Sequence, residues 1–336
     1  MNEPTKSSEA YVRKFAFRPF DGTRRGRIYR IWAIAWHWWI HEWNRSRAVK
    51  VLIGFLIFTF VITNMFVLFT KDFRLNPPIG IPAVTPEELL EDSLLTMVRG
   101  IVSFGISFFV ETSDSGSAEF NFGGTSIFIL ILLVMVGSGL IADDISNQTT
   151  EIYYSKLERH EYVLGKFLAF FIFGNIVLTL PYVFEFFLLF VGIGNIDLFT
   201  VLPIFVHVFV FTEIITITYS AIILAFSSLT NRRLYAGLTT FMLMFTSNMI
   251  ISSLAFSGDS AGFEIFLDVL TLLLLTSYIL LGTTEIDYYS FRGVQTINLA
   301  DGVGIENWMI LGVVGLYILL GFLVVVYQVY WRHSNK

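Results

Sequence analysis

Six long apolar runs decide what this chain can fold into: Val49–Phe69, Thr125–Ile141, Phe167–Val191, Leu198–Phe226, Leu234–Phe256 and Trp308–Trp331. A helix rises 1.5 Å per residue, so about 20 residues cross the roughly 30 Å of bilayer hydrocarbon. In lipid each backbone N–H and C=O must be bonded within the structure, and runs of this length do that as helices. The expectation is an all-α membrane protein with six transmembrane helices. Composition agrees: 55% of the 336 residues are hydrophobic and 15% charged, where a soluble domain carries about a quarter charged.

Two further stretches are ambiguous. Leu94–Val110 is short and interrupted by Arg99, Gly100 and Gly105, and Phe263–Leu281 contains Asp268 between Gly262 and Gly282. Cation counting resolves them. With six spans and a cytoplasmic N-terminus, fourteen Lys or Arg flank the cytoplasmic ends and four (Lys71, Arg74, Arg99, Arg292) lie outside. That is the positive-inside bias; if the first stretch crossed alone, Lys156, Arg159 and Lys166 would lie outside, and if the second did, the C-terminal WRHSNK would. Both are expected as re-entrant or surface helices on the outer side, the second just before the last span. The first twenty residues lack the apolar core of a signal peptide, so the first span is expected to direct insertion.

The remaining organisation is that of one membrane domain, 24–336, after a flexible segment 1–23. Arg24–Arg45 holds five of the seven Trp with Arg at both ends, the composition of an amphipathic helix in the headgroup plane. An outer loop covers 70–124, and Thr85-Pro86-Glu87-Glu88 in it has the cap and first-turn Pro of a helix start. Pro181 falls inside the third run and should kink it.

Several function classes are excluded or left without residues. There is no Cys, so thiol chemistry, disulfides and Cys-ligated metals are out. A net charge of −5, dispersed along the chain, offers no nucleic-acid partner. Gly165-Lys166 lacks the earlier Gly and the following Ser or Thr of a phosphate loop, so the chain has no such ATP site of its own. His37 and His41 are four apart but their Glu follows at 42, which misplaces the base of a zinc-protease motif; no metal or cofactor is expected. Asn147-Gln148-Thr149 and Asn44-Arg45-Ser46 fit the glycosylation acceptor but fall on the cytoplasmic side. No catalytic set is marked out. Five polar residues inside spans, Asn64, Glu185, His207, Glu213 and Asn248, are candidates for a translocation path or a seam between protomers, or for hydrogen-bonded pairs that hold helices together.

The most informative stretch is Gly139–Phe167, a polar, mixed-charge segment clamped between two spans. A helix from Asp144 to about Arg159 puts Ile145, Thr149, Ile152, Tyr153 and Leu157 on one stripe. Asp143 and Asp144 at its start and Lys156 and Arg159 near its end suit the helix dipole. Such a helix is a handle by which something outside the bilayer moves two spans together.

The pattern Asp144, Thr149, Glu151, Ile152, Arg159, Glu161-Tyr162-Val163-Leu164 and Gly165-Lys166 resembles the permease subunits of type-two ABC exporters, including the multicopper-enzyme maturation subgroup. Gln148 stands where that family usually has Gly, and Lys156-Leu157-Glu158 where a Pro often follows the short helix. The resemblance implies a coupling segment, 142–166, in which Asp144, Thr149, Glu151, Ile152, Leu157, Arg159, Gly165 and Lys166 serve coupling to a separate ATP-binding subunit on the cytoplasmic face. It also implies a second permease chain, and export across the cell membrane without an ATPase site of its own. The competing expectations are a proton-driven secondary transporter using Glu185, His207 or Glu213, and a membrane anchor or assembly factor that transports nothing.

Overall fold

A computed structural model describes residues 26–76, 83–102, 110–112, 118–120, 125–150, 153, 157–194, 196–256, 266–281, 285–290, 293–298 and 307–334. The segment 1–23, with its expected flexibility, lies outside them. Among the described residues the regular elements are helices apart from two short antiparallel hairpins, β1 (Val110–Thr112) with β2 (Ala118–Phe120), and β3 (Glu285–Ser290) with β4 (Gly293–Asn298). Neither hairpin was legible as apolar periodicity, because both lie in polar connecting stretches.

Helix α1 (Arg27–Arg45) leads through Ser46 into α2 (Arg47–Leu75). Ser46 is the N-cap of α2, its Oγ accepting from the Val49 N–H at 3.3 Å. Helix α3 (Pro86–Val102) starts where Thr85-Pro86 predicted. Glu88 N donates to Thr85 Oγ1 at 3.2 Å and Thr85 N to Glu88 Oε2 at 2.9 Å, a reciprocal capping box. Then come α4 (Thr125–Gly137), α5 (Gly139–Ser146), α6 (Arg159–Gly174), a π-helical turn (Asn175–Thr179), α7 (Leu180–Ile193), α8 (Leu198–Leu229), α9 (Arg233–Phe256), α10 (Val269–Leu281) and α11 (Asn307–Ser334).

Five of these stretches are long and apolar enough to cross a membrane: Arg47–Leu75, Ile127–Ser146, Arg159–Ile193, Leu198–Leu229 and Asn307–Trp331. The protein is therefore a multi-pass membrane protein. The expected span Leu234–Phe256 corresponds to α9, whose 24 residues give about 36 Å of helix, but it is not among those five. Of the two ambiguous stretches, residues 94–102 form the end of α3, a helix of 17 residues, Val110 starts β1, and residues 269–281 form α10, a helix of 13. Helix α10 is about 20 Å long, too short to cross. Every residue from Asp268 to Ser277 is buried, so protein shields it from lipid. Residues 103–109 and 263–265 of those stretches lie outside the description.

Helix α8 is the centre of the bundle, packed against α11, α9, α10, α6, α5, α4 and α3. Contacts between distant residues define two ends. At one, Arg27 meets Glu158, Arg233 meets Glu42, and Arg159 Nη1 donates to Tyr330 O at 3.4 Å. At the other, Lys71 Nζ donates to Gly192 O at 2.7 Å, Asp197 N to Glu87 Oε1 at 3.3 Å, and Arg74 to Asp92 at 3.0 Å. Pro181 does interrupt the third span. A Pro has no N–H for the carbonyl four residues earlier, and the turn before it widens so that Leu180 N bonds Asn175 O, five residues back.

Candidate coupling site

The expected handle is not one helix from Asp144 to Arg159. Helix α5 ends at Ser146, and Asn147 and Gln148 form a turn. Gln148 takes φ 58°, the left-handed region that costs an L-residue roughly 1–2 kcal/mol and favours Gly. Thr149 and Thr150 are helical again, and Leu157 N bonds Tyr153 O at 2.8 Å. The stripe counted across residues 144–159 is thus split by the turn. The position where the family usually carries Gly is the one that turns, a physical reason for that preference. Glu151, Ile152 and Lys156 lie outside the described residues.

Asp144, at the end of α5, gathers the residues picked out by pattern. Lys166 Nζ lies 2.6 Å from Asp144 Oδ2, and Tyr162 OH donates to the same oxygen at 2.8 Å. Thr149 Oγ1 donates to Oδ1 at 3.1 Å. The Lys166 side chain is 3% exposed, with its ammonium 5.7 and 5.5 Å from the ring centres of Tyr153 and Tyr162. Burial, then the charge of Asp144, raises the Tyr153 phenol above its ordinary value, so it stays protonated beside the carboxylate. This latch fastens the base of the second span to the base of the third. Three residues of the sequence pattern, Asp144, Thr149 and Lys166, thus meet in one cluster. Tyr162, given no separate role in the sequence, joins them because it sits one helical turn before Lys166 and so shares its face.

Helix α6 begins with Glu158 as N-cap and Glu161 closing a capping box. Glu161 is fully buried, and Arg30 Nη2 lies 2.7 Å from its Oε1, which ties α1 to α6. Gly165 fits because a Cβ there would sit 2.9 Å from Ile34 of α1. Helix α1 therefore packs one face against the bundle. Ile34, Ala35, Trp38 and Glu42 are buried, while Tyr29, Trp32, Trp36, Ile40 and Trp43 are exposed. Arg159 stacks over Tyr330 at 5.2 Å, linking α6 to the end of α11. Leu157 is half-buried in the bend before α6.

The five intramembrane polar residues do not converge. Asn64 is buried, its Nδ2 donating to Phe60 O at 3.0 Å. Glu185 is buried on α7, and its Oε2 has no hydrogen-bond partner. Glu213 sits against the π turn, accepting from Asn175 Nδ2 at 3.4 Å and Thr179 Oγ1 at 3.5 Å. His207 is exposed on α8. Asn248 donates at 2.8 Å to Asp268 Oδ2. Asp268 also accepts from the Leu270 and Thr271 N–H groups and from Ser247 Oγ, so Asn248 belongs to the anchor of α10. His37 and His41 are both exposed on α1, and no group of three metal-ligating side chains occurs among the described residues.

The described residues thus form a helical membrane bundle in which a polar segment is latched across the bases of two spans. The chain belongs to the ABC-2 transporter family: the model of the ABC-2 family transporter protein matches residues 32–335. No curated protein sequence matches the chain. Family membership makes it a permease of an ABC transporter, a transport component without its own ATPase site. It also brings partnership with an ATP-binding subunit and a dimeric arrangement.

Proposed function

We propose that the chain is the membrane-spanning subunit of an ATP-driven exporter in the cell membrane, of the multicopper-enzyme maturation subgroup. In this reading α9 supplies the sixth crossing, both termini and the segment 142–166 are cytoplasmic, and two permease chains pair. Closure of the ATP-binding subunits pushes the coupling segment and tilts the second and third spans. The observation that carries the reading is the Asp144–Lys166 latch with Tyr162 and Thr149 on the same carboxylate. A surface loop does not need a buried cation to hold it, whereas a lever must be stiff where it joins the spans.

Because Lys166 and much of Asp144 are covered, the residues that resemble the family motif divide by role. Asp144, Thr149, Gly165 and Lys166 hold the frame. The partner would touch the exposed Ser146, Asn147, Gln148, Glu158 and His160, together with Glu151, Ile152, Leu157 and Arg159. Purification from the native membrane should bring down an ATP-binding subunit, and its absence at every stage would count against the reading. A second reading, transport driven by protons, is favoured by one observation, the buried Glu185 oxygen without a partner. It predicts transport that follows a pH gradient with no ATP present.

A further inference from the structure

Arg233, the first residue of α9, joins four elements at the coupling end. Its Nη2 lies 2.6 Å from Glu42 Oε1 and its Nη1 3.3 Å from Oε2, a two-pronged pair with α1. Its Nε donates to Met135 O at 3.1 Å, and its Nη2 donates to that carbonyl too. Its Nη1 is 3.7 Å from Asp143 Oδ2. The Arg233 side chain is 22% exposed and that of Glu42 7%, so the cluster is largely withdrawn from solvent.

What these contacts straddle gives them meaning. The second span is two helices, α4 and α5, interrupted at Ser138. A helix leaves its last four carbonyls and first four N–H groups without internal partners. At this interruption other helices supply them. Ser227 of α8 accepts from the N–H groups of Ile141 and Ala142 at 3.0 and 3.1 Å and donates to Ser138 O at 2.8 Å. Arg233 takes the Met135 carbonyl from the last turn of α4. A Cβ on Gly139 would lie 3.0 Å from Arg233 Cδ, so the glycine lets the side chain lie along the break. Met135 precedes the interruption and Asp143 follows it, so bending at Ser138 must change the distance from Arg233 to one of them.

We propose that Arg233 is a positioning residue for energy coupling: it sets the angle at Ser138 and, through Glu42, makes the interfacial helix and α9 follow the coupling segment. Neighbouring aspartates divide the task. Asp144 binds α5 to α6 through Lys166, and Asp143 sets it against Arg233. The guanidinium is suited to this because its planar fork fixes direction, which a Lys ammonium does not. The proposal rests on the reading that the coupling segment is driven by an ATP-binding subunit.

The test uses the full chain, which has no Cys of its own, with spin labels at Ser146 and His41, and at Ser146 and Leu238. Distances are measured in lipid nanodiscs for the permease alone and with its ATP-binding subunit and a non-hydrolysable nucleotide. In the wild type both distributions should be narrow and should respond together to nucleotide. Arg233→Ala should broaden both, and lower stimulated ATP hydrolysis about tenfold, the scale of one charge-assisted hydrogen bond. Binding of the ATP-binding subunit should change by less than about threefold, the scale of a surface ion pair. Glu42→Gln should loosen only the Ser146–His41 pair. Arg233→Lys should fall between, and these two variants carry the test if Arg233→Ala does not fold. Distributions and stimulation unchanged in all three variants would overturn the proposal, as would a loss of hydrolysis that merely tracks lost binding. If Arg233→Ala broadens the distances but the wild type ignores nucleotide, the clamp stands and the ATP-driven reading fails.

Discussion

Lys166 is held inside the protein with its ammonium 2.6 Å from Asp144. Removing one partner of such a pair strands the other charge, at a cost of about 3–5 kcal/mol. Lys166→Met should therefore lower the thermal midpoint in nanodiscs strongly. The double variant Lys166→Met, Asp144→Asn should recover part of that loss, because the stranded charge is gone. Losses in the double variant equal to the sum of those of Lys166→Met and Asp144→Asn alone would show that the pair does not hold the frame. Gln148 tests the turn: at φ 58°, Gln148→Gly should stabilise by about 0.5–1 kcal/mol, the relief of a left-handed L-residue. Destabilisation by the same measure would count against the turn. Position 148 also shows what sequence reasoning held and did not use. The departure from the family's Gly was visible, but it did not suggest a broken helix, because helical periodicity counts residues and carries no dihedral.

Helices were the most legible level. Apolar length marked the spans, and Thr85-Pro86 marked the start of α3, because both signals are local. The interruption of the second span was not legible. Ser138 keeps helical dihedrals, φ −60° and ψ −27°, and its stabilising partner Ser227 lies 89 residues away. The Arg233–Glu42 pair joins residues 191 apart, beyond any pattern in one sequence. The split of α4 from α5 makes a direct prediction. Ser227→Ala should remove a cap worth about 0.5–2 kcal/mol and speed hydrogen exchange at the Ile141 and Ala142 amides, leaving the interior of α8 protected. Exchange unchanged at those two amides would mean that Ser227 does not hold the break.

For the whole molecule, the two ends defined by Arg27–Glu158 and Lys71–Gly192 must face opposite sides of the membrane. Cys replacing Ser146 should react with an impermeant thiol reagent only in inside-out vesicles, and Cys replacing Asn76 only in right-side-out ones; the reverse pattern would invert the topology. The account stands or falls on whether the segment 142–166 receives the work of a separate ATPase. Surface ion pairs are worth only about 0–1 kcal/mol each, so a triple reversal on the partner-facing side, Glu151→Lys, Glu158→Lys and Arg159→Glu, is the fair perturbation. The decisive measurement is ATP hydrolysis by the ATP-binding subunit reconstituted with either permease in the same membranes. The account predicts that the wild type stimulates hydrolysis and that the triple variant, inserted normally, does not. Equal stimulation by both would contradict it.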